Sequence, residues 1–240
     1  MQSDAGSRVT RVSVNANASG NARVELRAGI LIPRLISCTD QSADVALVAG
    51  GALLLGGDSI AIEVTVGAGC RLALEDIGGM VAYDGEGQSA TMRIQIRLQA
   101  GAQLSWATLP LIIADGACIE RFLDVELDDG AVALIRETLV LGREGEKGGR
   151  VVTRTSISAN AVPVLIEQQD FDGNAPVWGH LGNERVMDTV LLAGKPAPTT
   201  SIERGAVVLD FEEPGGLARW LGRENHLSPL DVVWREWALA

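Results

Sequence analysis

Residues 56–116, GGDSIAIEVTVGAGCRLALEDIGGMVAYDGEGQSATMRIQIRLQAGAQLSWATLPLIIADG, hold two copies of one pattern. In the first, Ile62, Val64 and Val66 alternate with polar or small residues, Gly69 follows, and Leu72 and Leu74 resume the alternation. In the second, Ile94, Ile96 and Leu98 lead to Gly101, then to Leu104 and Trp106. Successive strand side chains point to opposite faces, so period-two alternation on both sides of a short Gly-containing link predicts a half-buried β-hairpin. Segments 67–69 and 99–101 suit a three-residue link closed by a residue at positive φ, a conformation Gly takes without steric cost.

The pattern recurs on either side. Val24, Leu26, Gly29 and Ile32 carry it upstream. Leu123, Val125, Leu127, Gly130, Ala133 and Ile135 carry it downstream, followed by Thr153, Thr155, Ile157, Asn160 and Leu165. Turn residues thus fall at 29, 69, 101, 130 and 160, in steps of 40, 32, 29 and 30. Such a unit is too small to bury its own apolar face and must stack on its neighbours. The spacing therefore predicts an all-β fold, a β-solenoid or β-helix-like stack of repeated hairpins with two short C-terminal helices. A sandwich is disfavoured because its turns would be less uniform in register and type.

One β domain is expected over residues 1–240, with 1–20 as a loose arm or edge strand, 21–211 as the stack and 212–240 as terminal helices. The segment 141–150, LGREGEKGGR, is charged and Gly-rich and suggests a mobile surface loop. Arg185 to Ala193 and Ala206 to Phe211 can form further strands. Pro214 to Arg223 places Leu217, Trp220 and Leu221 on one side of a candidate helix. A second helix is expected after Ser228 as cap and Pro229 at the first position, with Leu230, Val233, Trp234 and Trp237 at i, i+3, i+4, i+7 spacing. Trp234 and Trp237 either seal one end of the stack or meet a partner.

The net charge of −11, with only two Lys among the 20 basic residues, argues against a nucleic-acid surface, which needs basic residues grouped on one face. An acidic chain suits basic partner surfaces or metal cations. The first residues, MQSDAGSRVTRV, lack the apolar core of a secretory signal, and residues 45–55 are too short and Gly-rich to span a bilayer, so a cytoplasmic protein without membrane contact is expected. Cys38, Cys70 and Cys118 are odd in number and show no CxxC spacing. No enzyme signature is found. His180 and His226 belong to no metal motif, and the glycine clusters match neither phosphate-binding fingerprint, so no permanently bound cofactor is expected.

Acidic residues beside glycines or strand ends stand out: Asp58, Asp84, Asp115 and Glu137. Asp before Gly suits turns, which accounts for Asp84 and Asp115. Glu137 continues the alternation of Ala133 and Ile135, so its carboxylate points inward and needs a partner, a water-filled passage or an ion. Several such carboxylates along one channel would let cations pass or dwell.

In order and spacing, LLLGGD (53–58), VTVGAG (64–69), GMVAYDG (79–85), the hairpin ending at Trp106, IIADGA (112–117), VELDDGA (125–131) and RETLVLGREGE (136–146) resemble the UreD-type (UreH) urease accessory proteins. The resemblance is close over residues 45–171 and weaker beyond. It implies a cytoplasmic, non-catalytic scaffold that binds urease apoprotein and a UreF-type protein, which docks a nickel-carrying UreG-type GTPase. It also implies nickel in transit through an internal tunnel. Gly56, Gly57, Asp58, Tyr83, Asp115, Gly116 and Glu137 occupy motif positions, of which Asp58, Asp115 and Glu137 are candidate nickel-passage carboxylates. The chain departs from the family at Met80 to Tyr83, where many members have Thr-Lys-Val-Tyr, and at Leu109 to Ile112, where many have Leu-Pro-Gln-Glu. Two rivals are a β-helix carbohydrate-active enzyme, which needs exposed carboxylate pairs in an aromatic-lined groove, and a structural or adhesive β-solenoid, which predicts a solid apolar interior.

Overall fold

A computed structural model describes residues 9–17, 19–50, 54–175, 181–200, 202 and 205–239. Its strands, in chain order, are β1 (Val9–Ala16), β2 (Ala22–Arg27), β3 (Leu31–Cys38), β4 (Ser42–Ala49), β5 (Ser59–Val66), β6 (Arg71–Ile77), β7 (Met80–Ala82), β8 (Ala90–Leu98) and β9 (Gln103–Ala107). They continue with β10 (Leu111–Ile113), β11 (Cys118–Leu127), β12 (Val132–Leu141), β13 (Arg150–Ala159), β14 (Val162–Asp172), β15 (Val186–Ala193), β16 (Ala206–Asp210) and β17 (Gly215–Gly222). A 3-10 turn at Asn225–Leu227 precedes one helix, α1 (Leu230–Leu239).

Two sheets enclose the core. The seven-stranded first sheet has the order β14-β13-β11-β8-β5-β1-β2. The second runs β16-β17-β15-β12-β9-β6-β4-β3, with the short β7 and β10 joining it beside β12. Neighbours from β1 to β13 in the first sheet are parallel, as are β4, β6, β9 and β12 in the second. This is the β-solenoid-like stack that the repeats predict.

The pairing within each repeat differs from a hairpin. β5 and β6 lie in opposite sheets, and so do β8 and β9, and β11 and β12. Each unit is an arch whose two apolar faces meet across the interior, while its backbone bonds to the same strand of the next repeat. Alternation cannot separate the two cases, because an arch and a hairpin both turn one face inward. Only the last unit is a true hairpin, with β13 and β14 antiparallel around Asn160 and Ala161, both at positive φ.

The arches share one corner. Gly69, Gly101 and Gly130 have φ of 67°, 67° and 65°. In each turn the following N–H, of Cys70, Ala102 or Ala131, donates to the carbonyl three residues back at 3.0, 2.8 and 3.0 Å. The corners are also bonded to one another, Gly69 N–H to the Ala100 carbonyl (3.0 Å) and Gly101 N–H to that of Asp129 (2.8 Å). Gly29 is not at positive φ; a Cβ there would lie 2.4 Å from the Val9 carbonyl carbon, so close approach explains it.

Antiparallel strands end the stack. β2 and β3 close one end; β14 and the run β15-β17-β16 close the other. The expected arm or edge strand within residues 1–20 is instead β1, paired on both sides, while residues 1–8 lie outside the described set. The expected helix at 214–223 is strand β17. Gly215 and Gly216 each disfavour a helix by about 1 kcal/mol, and the flanking β15 and β16 satisfy the strand backbone on both sides. The loop after Leu141 is tied down: Gly142 and Gly149 N–H both donate to the Ile113 carbonyl, at 2.7 and 3.3 Å.

α1 lies on the outer face of the second sheet rather than across an end. Leu230, Val233 and Trp237 pack with Val190, Leu192, Ala218 and Trp220 in a second, smaller core. Asp188, fully buried beneath the helix, accepts from Arg136 Nη2 (2.8 Å), Thr138 Oγ1 (3.0 Å) and Ser228 Oγ (2.5 Å), and Arg136 also reaches Asp231 on the helix.

Replacing Gly101 by Ala puts a Cβ at positive φ with ordinary clearance, 4.0 Å from Gly69 Cα, so the cost is conformational. Urea unfolding should show a loss of about 1–2 kcal/mol for Gly101→Ala and less for Gly101→Asn, whose side chain tolerates that region better.

Candidate functional site

Parallel, in-register stacking places equivalent positions of successive repeats at one level. In the second sheet Leu74, Trp106 and Ile135 are register partners, all buried and apolar. Two residues further on, the inward level turns polar: Asp76, Thr108 and Glu137. Register carries the row onward, Glu137 opposite Thr189 on β15 and Thr189 opposite Arg219 on β17. Across the interior, the first sheet offers Arg121, Thr153 and Gln169 in register, with Glu167 one inward step away, opposite Thr155. Five strands at roughly 4.8 Å spacing make this row about 19 Å long.

The row is bonded throughout. Asp76 Oδ1 accepts from the Trp106 indole N–H (3.0 Å) and Oδ2 from Leu109 N–H (3.4 Å). Arg121, 5% exposed, donates to Glu137 across the gap between the sheets. Arg219 donates through both terminal nitrogens to Glu167 (2.7 and 2.8 Å) and through Nε to Thr189 Oγ1 (3.2 Å). Two interior cavities follow the row: one of about 20 Å³ between Asp76, Trp106, Arg121 and Glu137, the other of about 30 Å³ between Arg121, Glu137, Thr153 and Arg219. Each has room for a water molecule. Beyond Glu167 and Arg219 lies a surface hollow of about 490 Å³.

Burial dominates the electrostatics. It pushes the Asp76 carboxyl up to about 6, against the indole and amide hydrogen bonds and the charge of Arg121. It draws the Arg121 guanidinium down to about 10, still charged at neutral pH, with Asp76 opposing the change.

Of the three candidate carboxylates, Glu137 stands in this row, with the partner that an inward charge demands. Asp58 and Asp115 are elsewhere, in loops on the outside of the stack. Asp58 Oδ2 accepts from Leu55 N–H (3.0 Å); Asp115 Oδ1 accepts from Gly148 N–H (2.7 Å), and Asp115 N–H donates to Glu146 (3.3 Å). The Arg143 guanidinium, with the Arg143 and Asp115 N–H groups, holds the Glu146 carboxyl down at about 2. The remaining motif positions build the same loops. Gly56 packs so closely on Gly85 that a Cβ would fall 2.5 Å from its Cα; Gly57 N–H donates to the Ser89 carbonyl (3.1 Å), Tyr83 N–H to that of Leu54 (3.2 Å), and Gly116 faces the Asp84 carboxylate. Among the described residues no three His, Cys, Asp or Glu side chains gather as a metal cluster. Trp237 is fully buried, its indole N–H bonded to Thr200 Oγ1 (3.2 Å), and Trp234 is half-buried at the helix rim. His226 is exposed, and His180 lies outside the described residues.

Sequence reasoning missed Arg121, Asp76, Thr189, Glu167 and Arg219. Arg121 carried a signal, since it shares the inward phase of Ile119, Leu123 and Val125 on β11.

A family model described as UreD urease accessory protein matches residues 10–226. The chain belongs to the UreD family. Curated relatives extend the match. "Urease accessory protein UreD 1" of Streptomyces griseus subsp. griseus is 38% identical, with 94% of this chain and 91% of the relative covered. "Urease accessory protein UreD" of Streptomyces avermitilis is 29% identical, with 92% and 88% covered. A UreD 1 protein of Saccharopolyspora erythraea is 34% identical over 70% of this chain and 68% of its own length. The family match takes in every residue of the polar row. No helix among the described residues is long and apolar enough to cross a membrane.

Asp76 gives the row a pH signature. Its folded pKa lies above the unfolded value, so the folded state binds more protons between about pH 4 and 6, and stability falls as pH rises through that window. At about 1.4 kcal/mol per pKa unit, urea titrations from pH 4 to 7 should show wild type losing up to about 3 kcal/mol relative to Asp76→Asn. Parallel curves would show that Asp76 keeps its unfolded pKa in the folded state.

Proposed function

We propose that this UreD-family chain is a non-catalytic scaffold in urease maturation. It binds urease apoprotein in the cytoplasm and passes nickel along its interior polar row, working with a UreF-type protein and, through it, a UreG-type GTPase. Nickel here is cargo, not a resident cofactor. The observation that carries the proposal is the row itself, a continuous line of carboxylates, hydroxyls and an amide through an otherwise apolar core. Burying these groups is costly, so a chain serving only as a spacer would do better with apolar residues at the same level. That weighs against a purely structural solenoid. A carbohydrate-active site is weakened by the burial of Trp106, Trp220 and Trp237, which leaves those rings unable to form a sugar platform.

The donors suit transit rather than storage. Nickel accepts oxygen ligands, and Glu137, Thr153, Thr189 and Gln169 offer them a few at a time along the row instead of as one closed cage. Asp58 and Asp115 have no place on this path, and their role is to hold loops that stack outside it.

The test is co-expression with urease subunits and the UreF- and UreG-type factors from the same source, measuring complex recovery, nickel per urease site and ureolysis. Glu137→Gln keeps an acceptor for Arg121, whereas alanine would leave that arginine buried without its carboxylate, at a cost of about 3 kcal/mol or more. The glutamine variant should still join the complex but lower nickel loading several-fold. Normal loading would remove Glu137 from the route, and failure of the wild-type chain to join urease or its partners would remove the scaffold role.

A further inference from the structure

The polar row holds two arginines as well as its carboxylates, and each arginine reaches across the gap between the sheets. Arg121 of the first sheet meets Glu137 of the second; Arg219 of the second meets Glu167 of the first. Arg121 and Glu137 line both interior cavities, so this pair is their common wall. Arg219 and Glu167 line both the outer of those cavities and the surface hollow, so they form the wall between interior and solvent. Both pairs therefore stand across the row. A cation arriving at either one meets a guanidinium, and the carboxylate that would receive it is already engaged.

We propose that these two Arg–Glu pairs are gates in series, closed to cations in the free chain, and that Arg219–Glu167 is the outer gate. The proposal rests on the polar row being the nickel route. Its position supports the assignment. The inner pair is almost wholly buried on the arginine side, whereas the outer side chains retain 19% and 27% exposure. Glu167 stands on β14, where the first sheet ends, while the second sheet continues past β17 to β16. The layers are thus least matched at this place, and Arg219 can swing into the hollow there without disturbing the parallel stack. Displacing it frees both oxygens of Glu167, converting a barrier into a cation ligand. Passage then needs a rearrangement at the β14 flank, and the inner pair presents a second guanidinium behind it.

The gate can be tested on the full chain alone. In a background with Cys38→Ser, Cys70→Ala and Cys118→Ser, Thr153→Cys places a thiol on the wall of the cavity behind the outer gate. The rate of thiol capture by Ag⁺ is read by counting the free thiol after unfolding, with the small neutral reagent methyl methanethiosulfonate as control. Adding Arg219→Gln should speed capture of Ag⁺ roughly tenfold or more, the scale expected when a charge barrier in a cleft is removed, and should speed the neutral reagent far less. Glu167→Gln, which keeps the guanidinium, should leave Ag⁺ capture slow. Equal Ag⁺ rates with and without Arg219→Gln, in chains of unchanged circular dichroism, would overturn the proposal, as would an equal acceleration by Glu167→Gln, which would mean simple loosening. If Arg219→Gln does not fold, Arg219→Ser removes the guanidinium while keeping Glu167, and unchanged Ag⁺ entry there would overturn it equally. Fast Ag⁺ entry combined with normal nickel loading by Glu137→Gln would sustain the gate while removing Glu137 from the nickel route.

Discussion

The parallel hydrogen bonding of each strand to its counterpart in the next repeat is the constraint on which the rest of the molecule depends. It holds Ile62 beside Ile94 and Ile94 beside Leu123, and so makes one inner surface out of separate short segments. The same ladder brings the corner glycines into line and fixes which residues share a level. A slip of one residue in any strand would turn its inward set toward solvent. The polar row is a direct product of this registration: side chains distant in sequence become neighbours because their strands are stacked in phase.

β12 shows how closely the two faces of such a strand can be put to different uses. Glu137 points inward to Arg121, while Arg136 and Thr138 on either side point outward to Asp188 beneath α1. β15 repeats the division, with Thr189 inside and Asp188 outside. The second sheet is therefore covered on both faces here, and the helix is fastened by the same pair of strands that carry the centre of the row. This arrangement joins the position of the C-terminal segment to the geometry of the interior.

Much of this was legible in the sequence. The glycines at 69, 101 and 130, each flanked by alternating apolar residues, disclosed the repeat, and the phase of Ala133, Ile135 and Glu137 disclosed an inward carboxylate. What stayed hidden has physical causes. Arch and hairpin share one alternation, so the pairing partner was not legible. β17 contains Leu217, Trp220 and Leu221 at spacings that also suit a helix, and pairing with β15 and β16, added to the cost of Gly215 and Gly216 in a helix, decides the outcome. Arg121 is hidden because a lone charge in an apolar run looks like an exception, although it and Glu137 satisfy each other. Thr189 and Arg219 join the row through antiparallel strands added after the repeats end, where no periodicity announces their level. Only the family resemblance points Asp58 and Asp115 toward the interior; their hydrogen bonds belong to loop closure.

The way the stack is terminated bears on how the chain is made. Apart from β1 and β5, which are 52 residues apart, each parallel pair joins segments about 30 residues apart, and β12 waits for β15, whose residues follow some 50 later. Contacts of such range form slowly, since loop closure precedes any gain from pairing. During synthesis every completed arch presents two open strand edges to its surroundings, and the last of these is covered only when the C-terminal strands emerge. A nascent or truncated chain ending near Leu141 would expose an apolar, hydrogen-bonding template of the kind that recruits other copies. The antiparallel strands at the far end thus serve as the stop signal of a structure that would otherwise keep growing.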